Sequence, residues 1–284
     1  MGLASFHGGH SSYGDGRGTI ADYAAAAEAA GLVAFGFAEH LPEPSHRVYR
    51  WEHIAPHCVQ DRSWYRDYLE DIADVRAIYR GVLDVLAALE IDYLRGGRNW
   101  VVGQLARLDL DYVVGSVHYV RLDAEDICID ADEESAQEAE RRAGSYEELC
   151  LVYLDHVLEL LQWDLVRILA HFDLVKMHWG EFPRTKRTEE AVGRVLTAMR
   201  KHGVVLEINT RGLKKPCRTL YPDRWVLQLA YEAGVRVTFA DDSHCPEDVG
   251  FGLEQAARLA YDVGYRSYVR FKEGGTIAEE QLLA

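Results

Sequence analysis

Histidine and carboxylate residues recur in this chain at one kind of position, the end of a short apolar run. The opening stretch, Phe6-His7-Gly8-Gly9-His10-Ser11-Ser12-Tyr13-Gly14-Asp15-Gly16, sets two imidazoles, a carboxylate and four glycines directly behind Leu3-Ala4-Ser5-Phe6. Glu39 and His40 follow Leu32 to Ala38, Glu90 follows Val85 to Leu89, His118 follows Tyr112 to Val117, and His171 follows Val166 to Ala170. Glu207 and Asn209 end the run from Val204, and Asp242 and His244 end the run from Val235. Imidazole and carboxylate are the ligands that borderline and hard divalent metals prefer, and glycines let a loop fold back so that several side chains meet at one centre. Any one of these residues alone reads as a hydrogen-bonded structural group. Their succession implies a multinuclear metal site, provided that the fold brings the run ends together.

The elements between them supply that condition. Thr19-Ile20-Ala21-Asp22-Tyr23 opens an alanine-rich helix that ends at Gly31, and further helices end at Gly203, Gly234 and Gly264, each followed by an apolar run. The last of these runs is Tyr265 to Phe271. Short apolar strands alternating with helices imply βαβ units and a parallel sheet, and seven or eight such units in a single domain of this length predict a barrel. In a parallel barrel all C-terminal strand ends open on one face, so the residues above would converge although they span the whole chain.

Composition narrows the partners. The 284 residues are 48% hydrophobic, enough for a sizeable core, and the net charge of −15 argues against a broad nucleic-acid surface. Five scattered cysteines without a CxxC pair point to reduced thiols in a cytoplasmic protein and not to a disulfide framework or a thiolate zinc site. No secretory leader and no membrane-spanning apolar stretch is expected, and oligomeric state is left open. Two segments break the rhythm: Arg47 to Arg66, rich in aromatic residues and histidine, and the acidic Asp123 to Glu140. Both read as long loops that could overhang a site. The second lacks the glycine and ligand spacing of an EF-hand and reads as a solvated insertion or helix face. His46, His53, His57, His156 and His202 read as structural or solvent-facing, and His178 is left between the two readings.

Taken together, the opening, Glu39-His40, Leu89-Glu90-Ile91-Asp92-Tyr93, Gly115-Ser116-Val117-His118-Tyr119, Ala170-His171-Phe172-Asp173, Glu207-Ile208-Asn209-Thr210-Arg211-Gly212-Leu213 and Asp242-Ser243-His244-Cys245-Pro246-Glu247-Asp248-Val249-Gly250 resemble the motif series of the polymerase-and-histidinol-phosphatase (PHP) superfamily, nearest to its histidinol-phosphatase branch. The resemblance runs in order from residue 6 to about residue 255. It implies a distorted seven-stranded TIM-like βα barrel with two or three divalent metals, zinc, iron or manganese, at the C-terminal face of the strands. It carries His10, His40, Glu90, His118, His171, Asp242 and His244 over as ligands, with Glu90, His118, Asp242 and His244 at the centre of catalysis. The opening departs from the usual His-x-His form. The residue two before His10 is Gly8, so the candidates there are His7, one position further back, and Asp15.

The implied chemistry is hydrolysis of a small phosphomonoester, L-histidinol phosphate in the nearest branch, as a step of histidine biosynthesis. Asp92, Asp173 and Asp241 are candidate acceptors for the distal N–H groups of the ligand histidines. A phosphate also needs cations of the protein's own, and Arg211, Lys214 and Lys176, with Asn209, are the expected substrate-binding residues. Two further readings keep the metal site: a phosphoesterase for another small phosphate or a nucleotide, and a metal-binding module that hydrolyses nothing.

Overall fold

The computed structural model describes residues 2–41 and 63–282. Seven strands form one sheet: β1 (Ala4–Gly8), β2 (Ala34–His40), β3 (Asp84–Asp92), β4 (Tyr112–Ser116), β7 (Ile168–Leu169), β8 (Val205–Asn209) and β9 (Val237–Ala240), hydrogen-bonded in that order. Every neighbouring pair is parallel. The strands are buried along almost their whole length, as a parallel sheet covered on both faces requires. The described helices are α1 (Ile20–Ala29), α2 (Ser63–Ile78), α3 (Arg98–Leu105), α4 (Glu133–Ala143), α5 (Tyr146–Leu161), α6 (Lys186–His202), α7 (Arg224–Glu232) and α8 (Leu253–Val263).

Local chemistry sets the helix ends. Thr19 and Asp22 form a reciprocal cap on α1, and Thr185 and Thr188 do the same for α6. α6 stops at Gly203, whose φ of 70° lies in the left-handed region open to glycine. Gly36 in β2 has another purpose: a Cβ there would lie 1.7 Å from the Tyr112 hydroxyl, which donates to the Phe6 carbonyl at 2.8 Å.

The sheet curls until its two edge strands meet. The Asp241 N–H donates to Ser5 Oγ at 3.0 Å, the Asp242 N–H to the His7 carbonyl at 2.8 Å, and the His10 N–H to the Ser243 carbonyl at 3.0 Å. The barrel is distorted. β1 carries a register irregularity between Ser5 and Gly8, and β7 is only two residues long.

Two expectations change. The run Tyr265 to Phe271 is not a barrel strand: β10 (Ser267–Phe271) pairs antiparallel with β11 (Ile277–Gln281) in a separate hairpin. That hairpin covers the N-terminal strand ends, where Phe271 packs on Phe6 and Tyr112 with ring centroids 5.4 and 4.8 Å away, and Arg270 pairs with Asp84 at 2.8 Å. β1 takes the place of the missing strand, built from the apolar lead of the opening stretch. The acidic segment Asp123 to Glu140 forms the turn and second strand of the hairpin of β5 (Tyr119–Leu122) and β6 (Glu125–Cys128) and the first turns of α4. The aromatic segment Arg47 to Arg66 lies mostly outside the described residues. Among the described residues no helix is long and apolar enough to cross a membrane.

Candidate metal centre

The C-terminal strand ends bring His7, His10, Asp15, His40, Glu90, His118, His171, Asp242 and His244 together, all nine expected ligands. Glu90, at the end of β3 and buried, is the hub. Its Oε2 lies 3.2 Å from His7 Nε2, 3.1 Å from His40 Nδ1 and 3.9 Å from His10 Nε2, and its Oε1 lies 3.2 Å from His171 Nε2 and 3.6 Å from His118 Nε2. Three groups have ligand atoms within 4.8 Å of one another: His10, Asp15, His40 and His244; His7, His10 and Asp242; His40, Glu90 and His118. His10 and His40 each belong to two groups, the arrangement expected of ligands around neighbouring cations.

Three imidazoles are held in the same way, by a hydrogen bond from Nδ1 that leaves Nε2 facing the centre. His7 Nδ1 donates to Glu207 at 2.9 Å, His118 Nδ1 to Asp92 at 2.8 Å and His244 Nδ1 to the Asp242 carbonyl at 3.0 Å. Such outer partners fix the tautomer and the orientation of a ligand. Glu207 also accepts from the His171 N–H at 3.0 Å and from Asn209 at 2.6 Å, so a single buried carboxylate steadies two strand ends. Asp242 has φ 49°, a left-handed conformation that costs a non-glycine residue about 1 kcal/mol, and its N–H is tied to β1.

The donor set fits divalent cations. His10 Nδ1 and Asp15 Oδ1, 3.9 Å apart and in the same ligand group, are buried without a hydrogen-bond partner, atoms that a coordinated ion would satisfy. The electrostatics agree. Burial disfavours the charged forms of Glu90 and Asp242, yet the surrounding histidines hold both carboxyls well below the usual range. Burial and the neighbouring His244 push the His10 imidazole down to about 3, so it stays neutral and able to ligate. Burial opposes charging of His7 as well, but Glu207 and Glu90 outweigh it and hold its pKa well above normal. Protons and metal therefore compete for that nitrogen.

Glu39 belongs to none of the three groups. It accepts from the Ser11 N–H and hydroxyl, both at 2.5 Å, and burial pushes its carboxyl up to about 8. It fastens the opening loop over the end of β2.

Among the four expected substrate-binding residues, Arg211 alone stands at the edge of the centre. It pairs with Asp248 at 2.7 Å and lies close enough to His244 to oppose its charging. Lys214 shares Asp248 and covers the Phe251 ring. The placement of the other two corrects the expectation. Asn209 is fully buried and donates to Glu207 and, at 3.1 Å, to Asp242. Lys176 is fully buried, with its ammonium between Asp173 and Asp223 and a 2.8 Å bond to the Leu220 carbonyl. Asp173 is therefore a partner of that lysine, and Asp241 serves the Gly250 and Ser243 N–H groups; of the three carboxylates expected to support ligand histidines, Asp92 does so. Glu207, which the sequence places among the strand-end residues of the metal constellation, stands behind it as a hydrogen-bond partner of the ligand candidates. The signal was its spacing: Glu207 and Asn209, like Glu90 and Asp92, sit two apart on a strand and so face the same side.

Comparison with known proteins agrees with this geometry. Residues 7–211 match the model of the PHP domain. A probable histidinol-phosphatase of Deinococcus radiodurans is 32% identical over 254 residues, covering 89% of this chain and 91% of that protein. The histidinol-phosphatase of Bacillus subtilis is 26% identical, covering 83% and 91%. A histidinol phosphate phosphatase of Lactococcus lactis, solved with zinc, L-histidinol and phosphate, superposes with a TM-score of 0.76 at 20% identity, covering 97% of this chain and 98% of that one.

Proposed function

The chain belongs to the PHP domain family, and from that premise we propose that it is a metal-dependent phosphatase hydrolysing L-histidinol phosphate to L-histidinol and phosphate. The observation that carries the chemistry is Glu90, a buried carboxylate within 4 Å of five imidazoles. The substrate follows from relatives named for that activity and matched over most of their length.

His7, His10, Asp15, His40, Glu90, His118, His171, Asp242 and His244 are the residues proposed to hold the metals. Eight of them form the three groups, which suit three cations, and His171 stands against Glu90 at 3.2 Å; zinc, iron and manganese all accept such ligands. Divalent metals held by these residues would supply a water of lowered pKa and positive charge to offset the phosphoryl oxygens. The chain supplies the rest. Glu207, Asp92 and the Asp242 carbonyl keep three imidazoles in the ligating tautomer. Glu90 and Asp242 stay ionised at neutral pH. Arg211, held by Asp248, presents a guanidinium at the rim where a phosphate would enter, and burial of the strand ends limits bulk water.

The test is metal analysis of the purified protein paired with phosphate release over a substrate panel that includes L-histidinol phosphate. His118→Ala and Asp242→Ala are each expected to lose metal and turnover together. Full turnover in metal-depleted protein would end this reading, retained metal without hydrolysis would mark a binding module, and preference for another ester would reassign the substrate.

A further inference from the structure

We propose that Asp130, in the acidic insertion, is the specificity residue that receives the cationic amine of the substrate, so that the site selects aminated phosphate esters. The inference rests on the phosphatase reading above. The β5–β6 hairpin returns the chain to its starting point: Tyr119 pairs with Cys128, and the Ile129 N–H donates to the His118 carbonyl at 2.9 Å. Asp130 is thereby set beside a metal-ligand candidate, with Oδ2 3.9 Å from His118 Nε2 and a side chain only 12% exposed. It stands outside all three ligand groups.

Its neighbours distinguish it from the other carboxylates around the centre. Glu90, Asp15 and Asp242 belong to the ligand groups, Asp92 holds His118, Glu207 holds His7 and Asn209, Asp173 and Asp223 hold Lys176, and Asp248 holds Arg211 and Lys214. Among the described residues Asp130 has no lysine or arginine partner. It receives a hydrogen bond from the Cys128 thiol at 3.0 Å and has the His118 ring at the longer distance just given. A largely buried carboxylate with so weak a set of donors is a counter-charge, and a cation is the ligand that lowers its cost most. In L-histidinol phosphate the ammonium is borne one carbon beyond the ester carbon, so a phosphoryl group at the metal centre leaves the amine beside the strand ends. His178, which follows the turn after β7, has a buried Nε2 without a hydrogen-bond partner.

The test is the ratio of kcat/KM for L-histidinol phosphate to kcat/KM for an amine-free ester, phenyl phosphate, in the metal-loaded enzyme, with metal content measured in parallel. Asp130→Asn is expected to lower the ratio about 10- to 100-fold, the effect of losing one charged hydrogen-bond partner. Asp130→Glu should recover part of it. An unchanged ratio in Asp130→Asn, or a loss of bound metal, would overturn the assignment, the latter by making Asp130 a ligand. A wild-type ratio near unity would instead sink the substrate reading, and this inference with it.

Discussion

The three imidazoles anchored through Nδ1 set what a single substitution at the centre should do. Glu207 accepts three hydrogen bonds, and a glutamine in its place cannot accept all three because its amide nitrogen would face a donor. Glu207→Gln is expected to weaken zinc binding about 10- to 100-fold, measured by competition with a chromophoric chelator. Unaltered affinity would reduce Glu207 to a space-filling residue. His156, far from the centre in sequence role, gives a separate pH effect. Its Nδ1 donates to the Val152 carbonyl at 2.7 Å and its Nε2 accepts from the Arg121 N–H, so the folded site suits the neutral ring, and burial lowers its pKa. The unfolded chain then binds the extra proton more readily, and stability falls as pH drops below the ordinary histidine value of 6.5. Urea titrations between pH 7.5 and 5.5 should show a shallower fall in His156→Gln than in the parent; equal slopes would refute this.

At the scale of elements, Lys176 clamps the turn after β7 to the segment leading into α7. Removing one partner of a buried ion pair leaves the others uncompensated, so Lys176→Met is expected to cost about 3–5 kcal/mol in urea denaturation. A cost under about 1 kcal/mol, the range of surface pairs, would mean that water reaches this network. The case of Lys176 also marks how far the sequence could be read. The convergence of Glu90, His118, His171, Asp242 and His244 was legible because each ends an apolar run, and the ends of parallel strands share a face. Lys176 and Asn209 were misread because sequence shows that a polar residue follows a strand, not that a carboxylate elsewhere already holds it. The run Tyr265 to Phe271 was assigned to the barrel because a two-stranded hairpin buried on one face is as apolar as a short parallel strand. Asp130 was hidden in a charge run, since only the return of the β5–β6 hairpin separates it from its solvated neighbours.

For the whole molecule, the centre is a concentration of charge that metal would stabilise. With zinc at about 100 times its Kd, binding to the folded state alone adds about 2.7 kcal/mol, which for a chain of this size raises Tm by roughly 4–5 °C. Chelation should therefore lower Tm by that order, with recovery on adding zinc back; a Tm indifferent to chelator would count against the metal centre.

The seam between β1 and β9 has a consequence for the newborn chain. Two of the three ligand groups combine His7, His10 or Asp15 with Asp242 or His244, partners from opposite ends of the sequence. Synthesis proceeds at about 5–20 residues per second, so the opening histidines wait on the order of ten seconds or more for their counterparts to leave the ribosome. Throughout that interval the cell's free metal finds no completed pocket to enter at these two groups. A chain stalled at residue 240 would carry all seven barrel strands and neither of these sites.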